Sequence, residues 1–376
     1  MPPRILFIDV APFAGGAQDS FRTLIECAEN CDQALAMGDG LWEWARQKNF
    51  PSLKLTTTHW RANLWGGLQY CWECWQNRAP LLDFIRSFRP DIIHCNTVRS
   101  ALVLCALPRL ETRIIVHDRD LRMPLLARRH VARKLSPFIF AVSSTVCEKW
   151  REVVPDDHRI VLHNGFDLEA IARTVPALPD TSQKTCGAGT CYDGEDTVAT
   201  PCVIIAADFE PWKKHRLFLK AFQLAQAERS QLHAILKGRQ RPSSSKYLEE
   251  LRNHVKECQM KNVRFIVDDT PALPWIASAQ VLVTCSENEP FGRTAIEALA
   301  LGKRVVATEA ALAPELFQLD GVTRCSPTAL DFAQSILKAI EQPHPSPDLT
   351  PFSKETLAKE LSKLYSLIQQ NNLCIK

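Results

Sequence analysis

The sequence predicts an α/β protein built from two doubly wound parallel sheets. Short apolar runs recur along both halves of the chain, and each is followed by a polar turn and a helical pattern. Glycine is scarce, 14 in 376 residues, and several glycines fall directly behind those runs: Gly15–Gly16, Gly165, Gly238 and Gly292. There the backbone must turn tightly or approach another group. One stretch, 176–201, breaks the series and divides it in two.

The first half opens on Arg4–Val10, a buried strand. The loop APFAGG follows, then a helix from Ala17 to about Glu29. DIIHCN begins a second unit at Asp91, with a helix over Ser100–Ala106. RIIVHD begins a third at Arg113, backed by a basic helix. FIFAVS is the fourth strand, followed by a helix through Trp150, and RIVLHNG is a short fifth ending in a turn. Pro, Gly, Thr, Ser and Asp without apolar periodicity make Pro176–Pro201 an exposed loop. The second half repeats the logic. CVIIAADF, LHAILKG, VRFIV, AQVLVTCS and RVVATE read as strands. The helices between them lie at about Arg216–Glu228, Ser245–Cys258, Leu273–Ala277 and Gly292–Leu301. A Pro-rich stretch, Pro343–Pro351, precedes a last amphipathic helix over Phe352–Gln369, with Leu357, Leu361, Leu364 and Leu367 on one face. The domains are therefore placed at 1–165 and 201–345, with a linker and loop over 166–200 and a closing segment over 346–376.

Composition narrows the function. At 46% hydrophobic and 23% charged the chain can bury full cores, and a net charge of +3 gives no reason to expect a nucleic-acid partner. No apolar run approaches the ~20 residues of a membrane-spanning helix. The start, MPPRILFIDVAPF, is not patterned as an export signal, and a cytoplasmic protein is expected. Its 14 cysteines then read as reduced thiols filling core space. The CWEC pair, Cys71 and Cys74, is half a zinc site with no second pair of matching spacing, and Cys186 and Cys191 lie in the Gly-rich stretch. No metal is expected.

The most informative segment is Ser286–Gly302, SENEPFGRTAIEALALG. It follows the strand VLVTC, so it sits at a strand's carboxyl end, where open α/β sheets bind ligands. Pro290 and Gly292 set a turn, and the helix that begins there offers free N–H groups and a positive dipole end to a phosphate. Glu289 stands before that helix and Glu297 inside it. Carboxylates on either side of an anion cradle suit a phosphate joined to polyols, since each accepts hydroxyl hydrogen bonds. On spacing alone, a capping Glu289 and a solvated Glu297 read almost as well.

Here the chain resembles the retaining GT-B glycosyltransferases of the GT4-like group. Glu289-x7-Glu297 with PFG inside, followed by EALALGKRVVAT, looks like that family's donor-binding segment. FAGGAQDS resembles its first glycine loop, VIIAADFEPWKKHRLFLKAF the opening of its C-terminal domain, and AVSSTVCEKW and VLHNGFDLEAI its later N-terminal-domain motifs. PFSKETLAKELSKLY resembles the closing helix that crosses back to the N-terminal domain. The resemblance spans nearly the whole chain. It implies two Rossmann-like domains facing a central cleft, with the nucleotide-diphosphate sugar held by the C-terminal one. Gly15, Gly16, Lys213, Pro290, Phe291, Gly292, Arg293 and Glu297 would bind the donor, with Lys213 on the diphosphate and Glu297 on the ribose. Glu289 and His117 would be the catalytic pair, both on the transferred sugar. No metal or other cofactor is implied.

The chain departs from the pattern in three places. Asp208 stands where the family often has Arg, Lys214 replaces the glycine after the diphosphate lysine, and Ala311–Leu312 replaces a Gly-Gly loop. Lys237, Arg239 or Lys214 would then have to supply the missing charge. His117-Asp118-Arg119-Asp120 contains a D-x-D, the cation motif of a different glycosyltransferase fold, and reads here as a chance match.

Two features point to the acceptor. Residues 42–75 hold Trp42, Trp44, Trp60, Trp65, Trp72 and Trp75. Residues 119–134 hold Arg119, Arg122, Arg128, Arg129, Arg133 and Lys134 against one acid, Asp120. Arg122, Arg128, Arg129 and Arg133 on a basic helix beside aromatic loops suit a glycan or lipid-linked acceptor and a peripheral contact with the inner membrane face. A solvated helix and core tryptophans explain the same residues. The expected activity is sugar transfer to a hydroxyl acceptor in polysaccharide, lipopolysaccharide or glycolipid assembly. A binding-only relative and a sugar-nucleotide epimerase are the alternatives.

Overall fold

The computed structural model describes residues 2–57, 64–176, 201–241 and 245–370; at 64 and 65 only the backbone is described. The expected loop at 177–200, with Cys186 and Cys191, and the Trp60 side chain lie outside these. So does the Trp65 side chain.

Two units form. The first comprises Met1–Phe166 with Thr350–Lys376, the second Asp167–Leu349. In the first the elements run β1 (Arg4–Asp9), α1 (Gly16–Cys27), β2 (Asp32–Met37), α2 (Asp39–Ala45), β3 (Ser52–Lys54), α3 (Leu64–Phe88), β4 (Ile92–Cys95), α4 (Val98–Leu104), β5 (Arg113–Asp118), α5 (Leu125–Leu135), β6 (Phe138–Ala141), α6 (Ser144–Glu148) and β7 (Arg159–Val161). The second has α7 (Leu168–Ala172), β8 (Cys202–Ala206), α8 (His215–Glu228), β9 (His233–Gly238), α9 (Ser245–Glu257), β10 (Val263–Val267), α10 (Leu273–Ala277), β11 (Val281–Thr284), α11 (Arg293–Ala300), β12 (Arg304–Thr308), β13 (Val322–Cys325) and α12 (Ala329–Glu341). α13 (Lys354–Gln369) returns to the first unit.

Both sheets are parallel throughout, with orders β3-β2-β1-β4-β5-β6-β7 and β10-β9-β8-β11-β12-β13. The two doubly wound sheets predicted from the apolar runs are present. Each sheet reverses its winding once, between β1 and β4 and between β8 and β11. Loops diverge there at the carboxyl edge and leave a crevice.

The first sheet is covered on both faces. α1 and α13 cover one with Phe21, Leu24, Leu357, Leu361 and Leu364, and α3, α4 and α5 cover the other with Leu81, Ile85, Ala101 and Val131. Gly165 is needed where α13 arrives, since a Cβ there would lie 2.7 Å from Leu357 Cδ2. The segment placed as a linker from 166 already folds into the second unit: Asp167 caps α7 by accepting from the Ala170 N–H, and α7 packs on α11.

Several elements escape the sequence pattern. DQALAM is β2, though it lacks the β-branched residues that mark strands. Among the described residues of the tryptophan-rich stretch, Trp42 and Trp44 lie on α2, and Trp72 and Trp75 on the 25-residue α3. Apolar residues on every side of the amino-terminal part of α3 erase its helical stripe. β13 completes the second sheet, and α12 packs on α8 and on the sheet.

Candidate active site

At the crevice of the second sheet, three loops meet, after β8, β11 and β12. Backbone bonds stitch them together. Glu287 N donates to Trp212 O at 2.8 Å, Glu289 N to Ala310 O at 3.0 Å, and Ala313 N to Phe291 O at 2.8 Å. The Cys285 thiol adds bonds to Lys213 O and Lys214 O. Side chains on this edge are therefore held by a rigid frame.

Glu289 leaves the β11 loop and meets Lys213 from the β8 loop, Nζ to Oε2 at 2.6 Å, with both side chains mostly buried. Lys213 also lies 3.9 Å from the Trp212 ring centroid. α11 starts immediately after Gly292. Arg293 and Glu297 face one another along it, Nη2 to Oε1 at 3.5 Å. Gly292 is obligatory: its φ is +109°, and a Cβ would lie 2.4 Å from Leu312 Cδ2. Lys213, Glu289, Pro290, Gly292, Arg293 and Glu297 thus lie together at the α11 amino terminus. Phe291 is the correction. It is buried, at 3% exposure, and its carbonyl accepts from Ala313 N.

The three departures have structural answers. Ala311 and Leu312 are buried, and Leu312 fills the space above Gly292, so this loop is a packed support and no open phosphate cradle. Lys214 adopts φ 57° and pairs with Glu287 at 2.6 Å. Lys237 is buried and satisfied by Asp268. Asp208 holds two arginines, Arg239 at 2.9 Å and Arg241 at 3.1 Å, and they keep its carboxyl below the usual carboxylate range although burial works against them.

The carboxyl edge of the first sheet carries a different kind of site. Gly15 caps α1 in extended conformation and a Cβ there would meet only Gln18 Oε1, at 3.5 Å; Gly16 is exposed. The fold does not itself require glycine at 15. Behind this loop runs a buried polar chain. Gln18 Nε2 and Asn96 Nδ2 donate to Asp9 Oδ2, and Arg119 donates to Asn96 Oδ1, Asn164 Oδ1 and His117 Nδ1. The sequence marks neither Asp9 nor Asn96 as a site residue, and Arg119 only as one of a run of cations; the signal the three share is position, each closing an apolar strand.

His117 is fully buried. It stacks on His94, ring centroids 5.6 Å apart, and approaches Phe140 edge to face. A guanidinium can only donate, so Nδ1 accepts and Nε2 carries the hydrogen. Burial, then the Arg119 charge, holds its pKa well below the usual histidine value. It is a neutral imidazole at neutral pH.

Arg128 also needs correction as an acceptor-side residue. It is buried, paired with Asp118 at 3.3 Å and donating to Met123 O and Asp120 O. Burial lifts the Asp118 carboxyl to about 6, opposed by Arg128 and by the Trp150 Nε1–H at 2.8 Å. Arg122, Arg129 and Arg133 are exposed, beside exposed Leu125 and Leu126. On α3, Trp72 and Trp75 are exposed and stacked at 5.1 Å. Among the described residues, no helix is long and apolar enough to cross a membrane and no cluster of three His, Cys, Asp or Glu could hold a metal.

Residues 198–356, which contain this second-sheet site, match the family model for glycosyl transferases group 1. No curated protein matches the chain by sequence. Solved structures match over nearly its whole length. HepE of Anabaena, in complex with UDP and glucose, is 20% identical, with TM-score 0.67 and 98% of each chain covered. A glycosyltransferase from Rickettsia africae is 16% identical, with TM-score 0.69, covering 98% of this chain and 99% of that one. The sucrose-phosphate synthase of Thermosynechococcus elongatus is 17% identical, with TM-score 0.68, covering 98% and 100%. The two-sheet architecture is that of the GT-B fold.

Proposed function

We propose that this chain is a retaining glycosyltransferase that moves a sugar from a nucleoside-diphosphate sugar to a hydroxyl acceptor. The observation that carries the reading is the grouping of Lys213, Glu289, Arg293 and Glu297 around the α11 amino terminus, inside the segment matched to glycosyl transferases group 1. In this reading Glu297 accepts from the ribose hydroxyls. Lys213 and the first N–H groups of α11 neutralise the diphosphate, before and after it leaves. Glu289 holds hydroxyls of the transferred sugar. Charge developing on the leaving diphosphate is met by these fixed groups, and no metal is invoked.

UDP is the first base to test, because HepE has been solved with UDP and with UDP-glucose. The acceptor is a glycan or lipid-linked hydroxyl, as in polysaccharide, lipopolysaccharide or glycolipid assembly. The exposed cations and leucines of α5 support a contact with an anionic membrane surface at the cytoplasmic face.

The test is calorimetric and thermal-shift binding of UDP-, GDP-, dTDP- and ADP-sugars, with Glu297→Ala alongside. Stabilisation by one nucleotide class, lost in the variant, is expected. The anomeric configuration of the product, read by NMR, then tests retention. Absence of any shift across the panel overturns the reading.

A further inference from the structure

We infer that Trp212 is a positioning residue of the donor site, whose indole face holds the Lys213 ammonium ready for the diphosphate of a nucleoside-diphosphate sugar. The inference rests on the proposed function, in which Lys213 neutralises that diphosphate. It adds a residue that the sequence pattern does not mark.

Lys213 is a mostly buried cation with few partners. Its side chain is 16% exposed. Asp208, Glu210, Glu287 and Glu289 are the acids of the β8 and β11 loops. Asp208 is bonded to Arg239 and Arg241, and Glu287 to Lys214. Among the described residues, the Lys213 ammonium has one hydrogen-bond acceptor, Glu289 Oε2 at 2.6 Å. Its other close partner is the Trp212 ring, whose centroid lies 3.9 Å from Nζ. An ammonium carries three N–H donors, and the negative face of an indole attracts it without taking a carboxylate's place. Carboxylate and ring therefore hold the cation together and leave it donor capacity for a phosphate oxygen.

The ring can act as a platform because the backbone that carries it is fixed. Pro211–Lys213 form one 3-10 turn, with Lys213 N donating to Glu210 O at 2.9 Å and Lys214 N to Pro211 O at 3.1 Å. Pro211 pre-sets the entry to that turn. Trp212 O accepts from Glu287 N at 2.8 Å, which ties it to the β11 loop, and the Cys285 thiol bonds the next two carbonyls. Lys214 ends the turn in the left-handed region, at φ 57°. The two adjacent lysines then take different acids, Lys213 with Glu289 and Lys214 with Glu287.

The two partners of Lys213 are not equivalent once a donor arrives. Glu289 is the group proposed to turn to the sugar hydroxyls, and bonding it gives to them is withdrawn from Lys213. The indole face has no such second task in this reading. A lysine stem is flexible and carries about 2 kcal/mol of rotamer entropy. An ammonium in place for only a fraction of the time lowers apparent affinity by that fraction. Trp212 raises the fraction, acting through Lys213 and touching no reacting atom.

The test replaces Trp212 in the full chain by tryptophan analogues carrying one to four ring fluorines. Fluorine nearly preserves the ring's shape, so folding is kept, and it drains the negative face that attracts a cation. Calorimetry is run with UDP-, GDP-, dTDP- and ADP-glucose, and with the four parent nucleosides as phosphate-free controls. Affinity for the preferred nucleotide sugar is expected to fall stepwise with each fluorine, by about three- to thirtyfold at the end of the series, with nucleoside binding unchanged. In Lys213→Ala the same series should be flat. A flat series with Lys213 present would overturn the inference and leave the proposed function standing. An equal slope in Lys213→Ala would also overturn it, since the ring would then act on the ligand directly. Failure of the unmodified protein to bind any of the four nucleotide sugars would overturn both.

Discussion

Lys213 and Glu289, predicted to hold different parts of one donor, hold each other at 2.6 Å across two loops of the second sheet. The pair keeps both charges poised at the head of α11. The roles proposed for its two members are separable by mutation. Lys213→Ala should weaken nucleoside-diphosphate binding by about 10- to 100-fold, the worth of one charge-assisted bond. Glu289→Gln should leave affinity for the free diphosphate within about threefold and lower turnover by about a hundredfold or more. Calorimetry and steady-state rates together check this. Equal losses of diphosphate affinity in both variants would reject the division of labour.

Glu297 can be tied to the ribose by a chemical double cycle. The wild type should prefer a nucleotide over its 2′-deoxy analogue by about tenfold, and Glu297→Ala should abolish that preference while weakening every nucleotide tested. A preference that survives in the variant would move the ribose contact elsewhere.

Gly292 is where the site depends on the fold. Gly292→Ala forces a side chain into φ +109° and against Leu312. The expected cost is about 2–5 kcal/mol, summing the left-handed penalty and overpacking. Thermal unfolding measures it. Adding Leu312→Ala should return the packing share alone, so complete rescue would show that backbone strain is negligible there.

Acid should destabilise the second unit through His215. The residue is buried, stacked on Phe209 at 5.0 Å, and burial lowers its pKa to about 4 from 6.5. The unfolded chain then binds a proton that the folded one refuses. Stability is therefore full above about pH 6.5, falls as pH drops toward 4, and levels below that, by about 3 kcal/mol in all. Denaturant melts across this range should show the slope, and His215→Phe should flatten it. An unchanged slope would assign the loss to other groups, such as His94 and His117, which burial also holds low.

The exposed face of α5 predicts salt-sensitive binding to anionic vesicles. Removing Arg129 and Arg133 together should reduce it by about 25-fold, at ~1 kcal/mol per cation. Equal binding to neutral vesicles, or none to either, would leave α5 as a solvated helix.

The linear pattern determined the alternation of strands and helices, because a strand buried on both faces must be a nearly continuous apolar run. It also determined the α11 segment, because the helix start, its glycine and its flanking carboxylates are neighbours in the chain. Neither β2 nor α3 was legible, since Ala- and Leu-rich strands and helices apolar on all sides carry no diagnostic period. Tertiary structure alone decided how charges pair. Arg128 reads as a surface cation until Asp118 and Trp150 enclose it, and Asp208 reads as a defect until β9 brings Arg239 and Arg241 to it. Residues thirty positions apart share no local pattern, and only the register of two parallel strands makes them neighbours.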